Sequence, residues 1–489
     1  MLFNSIDFAI FLSIVFILYW FVTIKNLHLQ NFLIVASSFV FYGWWDWRFL
    51  FLLSTSAVID YVLAIQIYKN NNNRRKKDLF LSLSIITNLS ILFFFKYFNF
   101  FIDNFIASFQ FFGIKFSPFT LKIILPIGIS FYIFKTLSYT IDVSRQRLKP
   151  ARNIVDYFAF LSFFPQLLAG PIDRATHLLP QFYTKRVFSY PLAVEGLKQI
   201  LWGLFKKVVI ADSCAEYANI IFNNSTNYNG STLVFGALFF TIQIYADFSG
   251  YSDIAIGTSR LFGFDSMRNF AYPYFSRDII EFWRRWHISL TSWLTDYVFT
   301  PLSIKWRNIG NAGIGAALFI TFLLCGLWHG ANWTFIVWGG LNAVYFLPFL
   351  LVKRKKKTDI VAKEKLLPSL KEVAQMMITF TLIVFAWIFF RADNLEHAIS
   401  YISGIFSTSF FSVPYIIENV TGVPIIPKTL MLIILLFLII EWFGRKHQYA
   451  ISYIGIKWYR PLRWTLYYAI IIVIFWFGNK EQQFIYFQF

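Results

Sequence analysis

The sequence predicts an all-α polytopic membrane protein, and three observations carry that prediction. Of 489 residues, 57% are hydrophobic and only 14% charged, against about 25% charged in soluble domains. Mean hydropathy is +0.57. Apolar runs of about 17–25 residues, the length that crosses a bilayer, recur from one end of the chain to the other.

Taken in order, the candidate spans are 8–24, 31–47, 49–68, 79–100, 123–143, 192–212, 231–248, 311–329, 332–352, 373–391, 429–443 and 464–478. That predicts about 11–12 transmembrane helices. The first run has neither a basic region before it nor a small-residue cleavage site after it, so it reads as a retained helix. Basic loops set the orientation: KNNNNRRKK (Lys69–Lys77 with Arg74 and Arg75), RQRLKPAR (Arg145–Arg152) and KRKKK (Lys353–Lys357) belong on the cytoplasmic side. Loops 213–230 and 392–428 carry almost no Lys or Arg, and the alternation then puts both termini outside. The formal net charge of +19 is thereby explained by topology and anionic lipid headgroups, not by nucleic acid. Cys214 and Cys325 are too few for a disulfide framework or a closed zinc site, and no metal is expected.

Two regions do not fit plain spans. Residues 155–170 are short and run into the Gly-Pro break of LLAGPIDR, and 249–310 is polar, aromatic and arginine-rich. Irregular backbone at membrane depth survives only where protein buries it or it lines a cavity, so both read as re-entrant or interfacial segments. No fixed-period repeat or linker divides the chain, so a single domain over 1–489 is expected. In it, 160–340 is a motif-bearing core and 479–489 an extracytoplasmic tail.

Ionisable residues within apolar sequence are functional candidates. His28, His177, His397 and His447 lie in basic or polar segments, which leaves His329 and His287. His329, in LLCGLWHGANW, has two readings: a histidine that ties two helices together, or a functional one. His287 lies in RDIIEFWRRWHISLTSWLTDYVF. There, as one helix, Trp283, Trp286, Leu290, Trp293, Leu294 and Tyr297 form an apolar stripe with His287 at its edge. An interfacial tryptophan belt explains the stripe, but not the titratable ring. In QIYADFSGYSDIAIG, Asp247, Ser249, Ser252 and Asp253 surround Gly250 at the expected end of a span. The segment reads as a polar helix break, with a cation site as the alternative.

Four blocks, FFPQLLAGPI, IYADFSGYSDIAIGTSRLFGF, FWRRWHISLTSWLTDYVFTPL and GLWHGANWTFIVWGG, resemble the membrane-bound O-acyltransferases. The nearest likeness is to the bacterial branch with alginate O-acetyltransferase and teichoic acid D-alanyltransferase subunits. The resemblance implies a many-helix fold around a membrane-piercing funnel in a bacterial cytoplasmic membrane. It also implies a cytoplasmic acyl thioester donor such as acetyl-CoA, with no permanently bound cofactor, and a polysaccharide hydroxyl acceptor outside. An extracytoplasmic esterase-like (SGNH-type) partner is implied as well. It makes His329 the embedded catalytic histidine and His287 the second active-site histidine. Relatives often carry a further histidine where Asn342 stands here.

A neutral imidazole can take the proton a hydroxyl loses as it attacks a thioester. His287 could orient the donor or stabilise the oxyanion. Arg277, Arg284, Arg285 and Lys305 are candidates for the coenzyme A phosphates, although positive-inside bias would place them on the same side. The tail FIYFQF has the spacing F-x-Y-x-x-F (Phe484, Tyr486, Phe489), which resembles a terminal motif of these export systems and makes Tyr486 a candidate acyl carrier. Phenol chemistry agrees, because a leaving group with a pKa of about 10 makes its ester a good acyl donor. Many spans with intramembrane carboxylates also suit a transporter or flippase of a lipid-linked glycan, and a scaffold that only recruits a partner is a third reading.

Overall fold

A computed structural model describes residues 1–113, 121, 123–351, 360–417, 424–454, 458–478 and 482–485. The predicted all-helical class holds: among these residues the only strands are the two-residue pair Ile416–Ile417 and Pro424–Ile425. The KRKKK loop and Tyr486 with Phe489 lie outside the described residues.

The chain divides into two compact units. The first, residues 1–196 and 255–267, opens with helices α1 (Ile6–Ile17), α2 (Leu27–Gly43), α3 (Arg48–Lys69), α4 (Arg74–Leu92) and α5 (Phe98–Phe111). A π-helical turn at Phe93–Tyr97 joins the last two. Then come α6 (Ile129–Ser144), α7 (Ile154–Leu161), α8 (Phe164–Leu167) and α9 (Ala175–Leu178). The expected irregular stretch 155–170 is thus two short helices, buried at nearly every position. Polar groups in this unit pair with one another. Arg186 donates to Asn31 Oδ1 (2.7 Å) and Asn31 to Asp156 (2.7 Å), while Lys135 donates to Gln166 (2.8 Å). Buried polar groups without such partners would be costly.

The second unit, residues 197–254 and 268–489, holds the functional candidates. Its elements are the end of α10 (Tyr190–Leu204), α11 (Asp212–Asn223), α12 (Gly230–Leu261, shared with the first unit), α13 (Ile279–Arg285), α14 (Ile288–Leu294) and α15 (Thr300–Lys305). They continue with α16 (Asn311–His329), α17 (Trp333–Leu351), α18 (Leu370–Arg391), α19 (Leu395–Ile405), α20 (Lys428–Gly444) and α21 (Arg460–Phe477). Helix α16 and α17 form a close hairpin. A Cβ on Gly326 would meet the Phe335 carbonyl oxygen at 2.2 Å, and one on Gly339 the Phe322 oxygen at 2.3 Å.

The structure refines the sequence reading at three points. Among the described residues, six helices are long and apolar enough to cross a bilayer: 48–69, 74–111, 230–261, 311–329, 333–350 and 370–391. Of the other expected spans, 192–212 lies within a continuous helical run from Tyr190 to Asn223 whose middle turn is π-helical, 464–478 falls on the 18-residue α21, and α6 has 16 residues, nearly all buried. Its apolar character serves packing on all sides, so hydropathy alone could not tell it from a lipid-facing span. Second, Gly250 breaks nothing. Helix α12 runs unbroken for 32 residues, because Gly250 and Gly203 of α10 let two backbones meet: a Cβ on either would lie 2.6–2.8 Å from the other's carbonyl oxygen. Third, 277–299 is not one helix. The chain turns at Trp286-His287, between α13 and α14, with His287 left-handed at φ 43° and ψ 54°.

Candidate functional site

His329 is the last residue of α16. Gly330 follows in extended conformation, and a Cβ there would strike the Phe335 ring at 2.3 Å, so glycine lets the chain fold over into α17. His329 is buried among three rings met edge-on: Trp328 at 5.0 Å, Trp338 at 5.1 Å and Phe390 at 5.1 Å between centroids. Asn342, at the position of the extra histidine in the resemblance, is fully buried. It accepts from Trp283 Nε1 (3.2 Å) and donates to the Trp338 carbonyl (2.8 Å), which is a structural task.

His287 is held by its unusual backbone and by one side chain. A left-handed non-glycine residue costs roughly 1 kcal/mol or more, so its surroundings must fix it. Ile288 N donates to the Asn269 carbonyl (2.9 Å), and Ala271 N to the Arg285 carbonyl (2.9 Å). Asn269 Oδ1 accepts from Ser289 N (3.3 Å) and Ser289 Oγ (2.9 Å), while its Nδ2 donates to Ser252 Oγ on α12 (3.0 Å). A backbone N–H can only donate, so the atom facing it is the amide oxygen. That oxygen lies 3.0 Å from His287 Nδ1. Nδ1 therefore carries the proton in the neutral ring, and Nε2 presents a lone pair. Burial pushes the His287 imidazole down to about 3, so it is neutral at ordinary pH.

The two histidines share one neighbour. Trp328 lies 5.9 Å from the His287 ring and 5.0 Å from that of His329. On its other side His287 meets Phe248 of α12 edge-on at 4.6 Å. Phe248 also touches Phe484 of the tail (6.2 Å), which stacks on Tyr251 at 4.7 Å. Tail residue, α12, His287, Trp328 and His329 thus form one continuous aromatic path.

The polar face of α12 meets two buried lysines of the segment between α10 and α11. Lys206 Nζ pairs with Asp253 (2.6 Å) and donates to Ser249 (3.0 Å), and Gln199 also donates to Asp253 (2.7 Å). Lys207 Nζ bonds Asp212 (2.8 Å) and Asp247 (2.9 Å). Asp247, Ser249 and Asp253, three of the four residues of the alternative cation site, thus meet lysine ammonium groups, and among the described residues no three His, Cys, Asp or Glu side chains could hold a metal ion. Arg277 and Arg285 both pair with Glu281 (3.0 and 2.5 Å), and Arg277 also with Glu372 (3.3 Å); Arg284 and Lys305 are exposed.

Residues 39–358 match the membrane-bound O-acyltransferase (MBOAT) family. The chain belongs to this family. It is an O-acyltransferase of integral membrane type. Among relatives, the probable alginate O-acetylase AlgI of Azotobacter vinelandii is 37% identical over 86% of this chain and 81% of its own. The peptidoglycan O-acetyltransferase of Helicobacter pylori is 36% identical over 78% and 74%. The teichoic acid D-alanyltransferase of Bacillus subtilis is 28% identical over 55% and 70%.

In this O-acyltransferase the structure brings His287, His329 and Phe484 onto one path and gives Arg277 and Arg285 carboxylate partners. Sequence reasoning missed Asn269, Trp328 and the two lysines. Lys206 and Lys207 were open to discovery, since adjacent cations inside the expected span 192–212 demand partners. Asn269 left no signal, because only the turn at His287 brings its amide to the ring.

Proposed function

We propose that the protein moves an acetyl group from a cytoplasmic thioester, such as acetyl-CoA, to hydroxyls of an extracytoplasmic glycan, with Tyr486 as the intermediate carrier. The observation that carries this reading is the aromatic path joining the tail through His287 to His329. The named activities of the relatives supply the acceptor class, alginate or peptidoglycan. They also favour transfer over glycan transport.

In the first step the Tyr486 hydroxyl attacks the thioester carbonyl carbon while His329 takes the phenolic proton. The tetrahedral adduct expels the thiolate, which is reprotonated by His329, leaving an acyl-tyrosine and free thiol. A glycan hydroxyl then attacks the phenolic ester, and the phenol is regenerated. His287 orients the reactants by accepting a hydrogen bond at Nε2; a neutral ring with its proton on Nδ1 cannot donate from Nε2 to an oxyanion. Arg277 and Arg285 are committed to Glu281, so Arg284 and Lys305 are the better candidates for the donor's phosphates. An esterase-like (SGNH-type) partner outside would complete delivery, from a protein in the cytoplasmic membrane with both termini outside.

The test uses full-length protein in nanodiscs with labelled acetyl-CoA. Loss of a general base costs about 10²–10⁴-fold, so His329→Ala should lose at least a hundredfold in thiol release. Wild-type release would refute the role. Tyr486→Phe should still bind donor but pass no label to glycan.

A further inference from the structure

The tail is gripped by its main chain. The Lys207 ammonium donates to Asp212 Oδ1 (2.8 Å) and to the carbonyl oxygen of Gln482 (3.1 Å), and it forms an ion pair with Asp247 Oδ1 (2.9 Å). The other oxygen of Asp247 accepts from the backbone N–H of Ile485 (2.8 Å). One buried lysine–aspartate pair therefore holds two main-chain atoms of the tail, three residues apart, while Phe484 between them stacks on Tyr251. All three charged side chains are almost wholly buried. One cation faces two carboxylates, and the tail's N–H helps satisfy the negative excess.

We propose that Lys207, Asp247 and Asp212 form a clamp whose task is to seat the C-terminal tail on α12, ending one residue before Tyr486. They are positioning residues, since they touch the tail's backbone and none of the reacting atoms. Their grip is indifferent to side-chain identity at 482 and 485, whereas Phe484 sets how far along the groove the tail lies. The value of seating the tail rests on the carrier role proposed for Tyr486, but the clamp itself rests on these contacts alone.

The test measures thiol alkylation, resolved by peptide mass spectrometry, in full-length protein bearing Ile485→Cys, which keeps the donated N–H. Cys214 and Cys325 are buried native thiols and report whether the fold is intact. In this background Asp247→Asn and Lys207→Met should speed labelling at 485 about tenfold or more, the worth of one charge-assisted hydrogen bond, with both native thiols still protected. Should either variant expose the native thiols, a tail-side pair decides: Phe484→Cys alone, and with Ile485→Pro, which deletes the N–H and leaves the clamp side chains unchanged. The proline should speed labelling at 484 to the same degree. Labelling unchanged by the proline, or by a clamp variant with protected native thiols, overturns the proposal. Glycan acetylation by Tyr486→Phe judges the carrier role separately, because that variant leaves every clamp contact in place.

Discussion

Replacing Asn269 by alanine should be the most informative single change outside the histidines. The side chain is fully buried and makes four contacts of 2.9–3.3 Å: to His287 Nδ1, Ser289 N, Ser289 Oγ and Ser252 Oγ. The two hydroxyls can rotate to new partners. The Nδ1–H of His287 and the N–H of Ser289 cannot, and a buried donor left unsatisfied costs about 1–3 kcal/mol. The expected destabilisation is therefore about 2–6 kcal/mol, a large share of the ~5–15 kcal/mol that holds a typical protein folded. The ring also loses its tautomer lock. If one hydrogen bond's worth of preference, about 1.4 kcal/mol, is lost, thioester turnover per folded molecule should fall about tenfold. Thermal unfolding in detergent gives the first quantity, and turnover normalised to folded protein the second. An Asn269→Ala protein with wild-type melting and wild-type turnover would refute the assignment of the proton to Nδ1.

Two further predictions follow from burial and backbone contact. Burial sets the folded His287 pKa at about 3, below its ordinary value of about 6.5. Its stabilising contribution is thus complete above about pH 6.5 and is lost as the pH falls from there toward 3. The wild-type protein should lose melting temperature over that window more steeply than His287→Gln, and parallel pH curves for the two would contradict a buried neutral ring. Gly250→Ala sets a Cβ 2.8 Å from the Gly203 carbonyl oxygen. Overpacking of this kind costs about 1–3 kcal/mol, visible as a lowered melting temperature, and a variant as stable as wild type would deny the close approach of α10 and α12.

Much of the fold was legible because lipid and protein interior both select apolar helices. The α16–α17 hairpin, with His329 at its turn, falls almost where the apolar runs placed it, at 311–329 and 332–352. The same ambiguity hides what surrounds each run: α6 is as apolar as a lipid-facing helix, yet nearly all of it is buried in protein. The helical wheel through 277–299 gathered Trp283, Trp286, Leu290, Trp293, Leu294 and Tyr297 into one apolar stripe, of which all but the half-buried Tyr297 are buried. It failed on continuity, because the break at His287 is imposed by Asn269 and Ala271, eighteen and sixteen residues earlier. Gly250 misled in the opposite sense. A glycine among serines and aspartates looks like a helix break, yet its partner Gly203 lies 47 residues away and local sequence cannot reveal the pairing. His287 and His329 were visible as ionisable residues in apolar surroundings; that Trp328 stands between them required the structure.

The central claim is that the acyl group passes through the tail, and one measurement addresses it directly. Protein in nanodiscs is incubated with labelled acetyl-CoA, without glycan, and the C-terminal peptide is weighed. The account predicts one acetyl group on Tyr486 in the wild type and none in a folded His329→Ala variant. An unmodified Tyr486 in protein that goes on to acetylate glycan when it is supplied would contradict it.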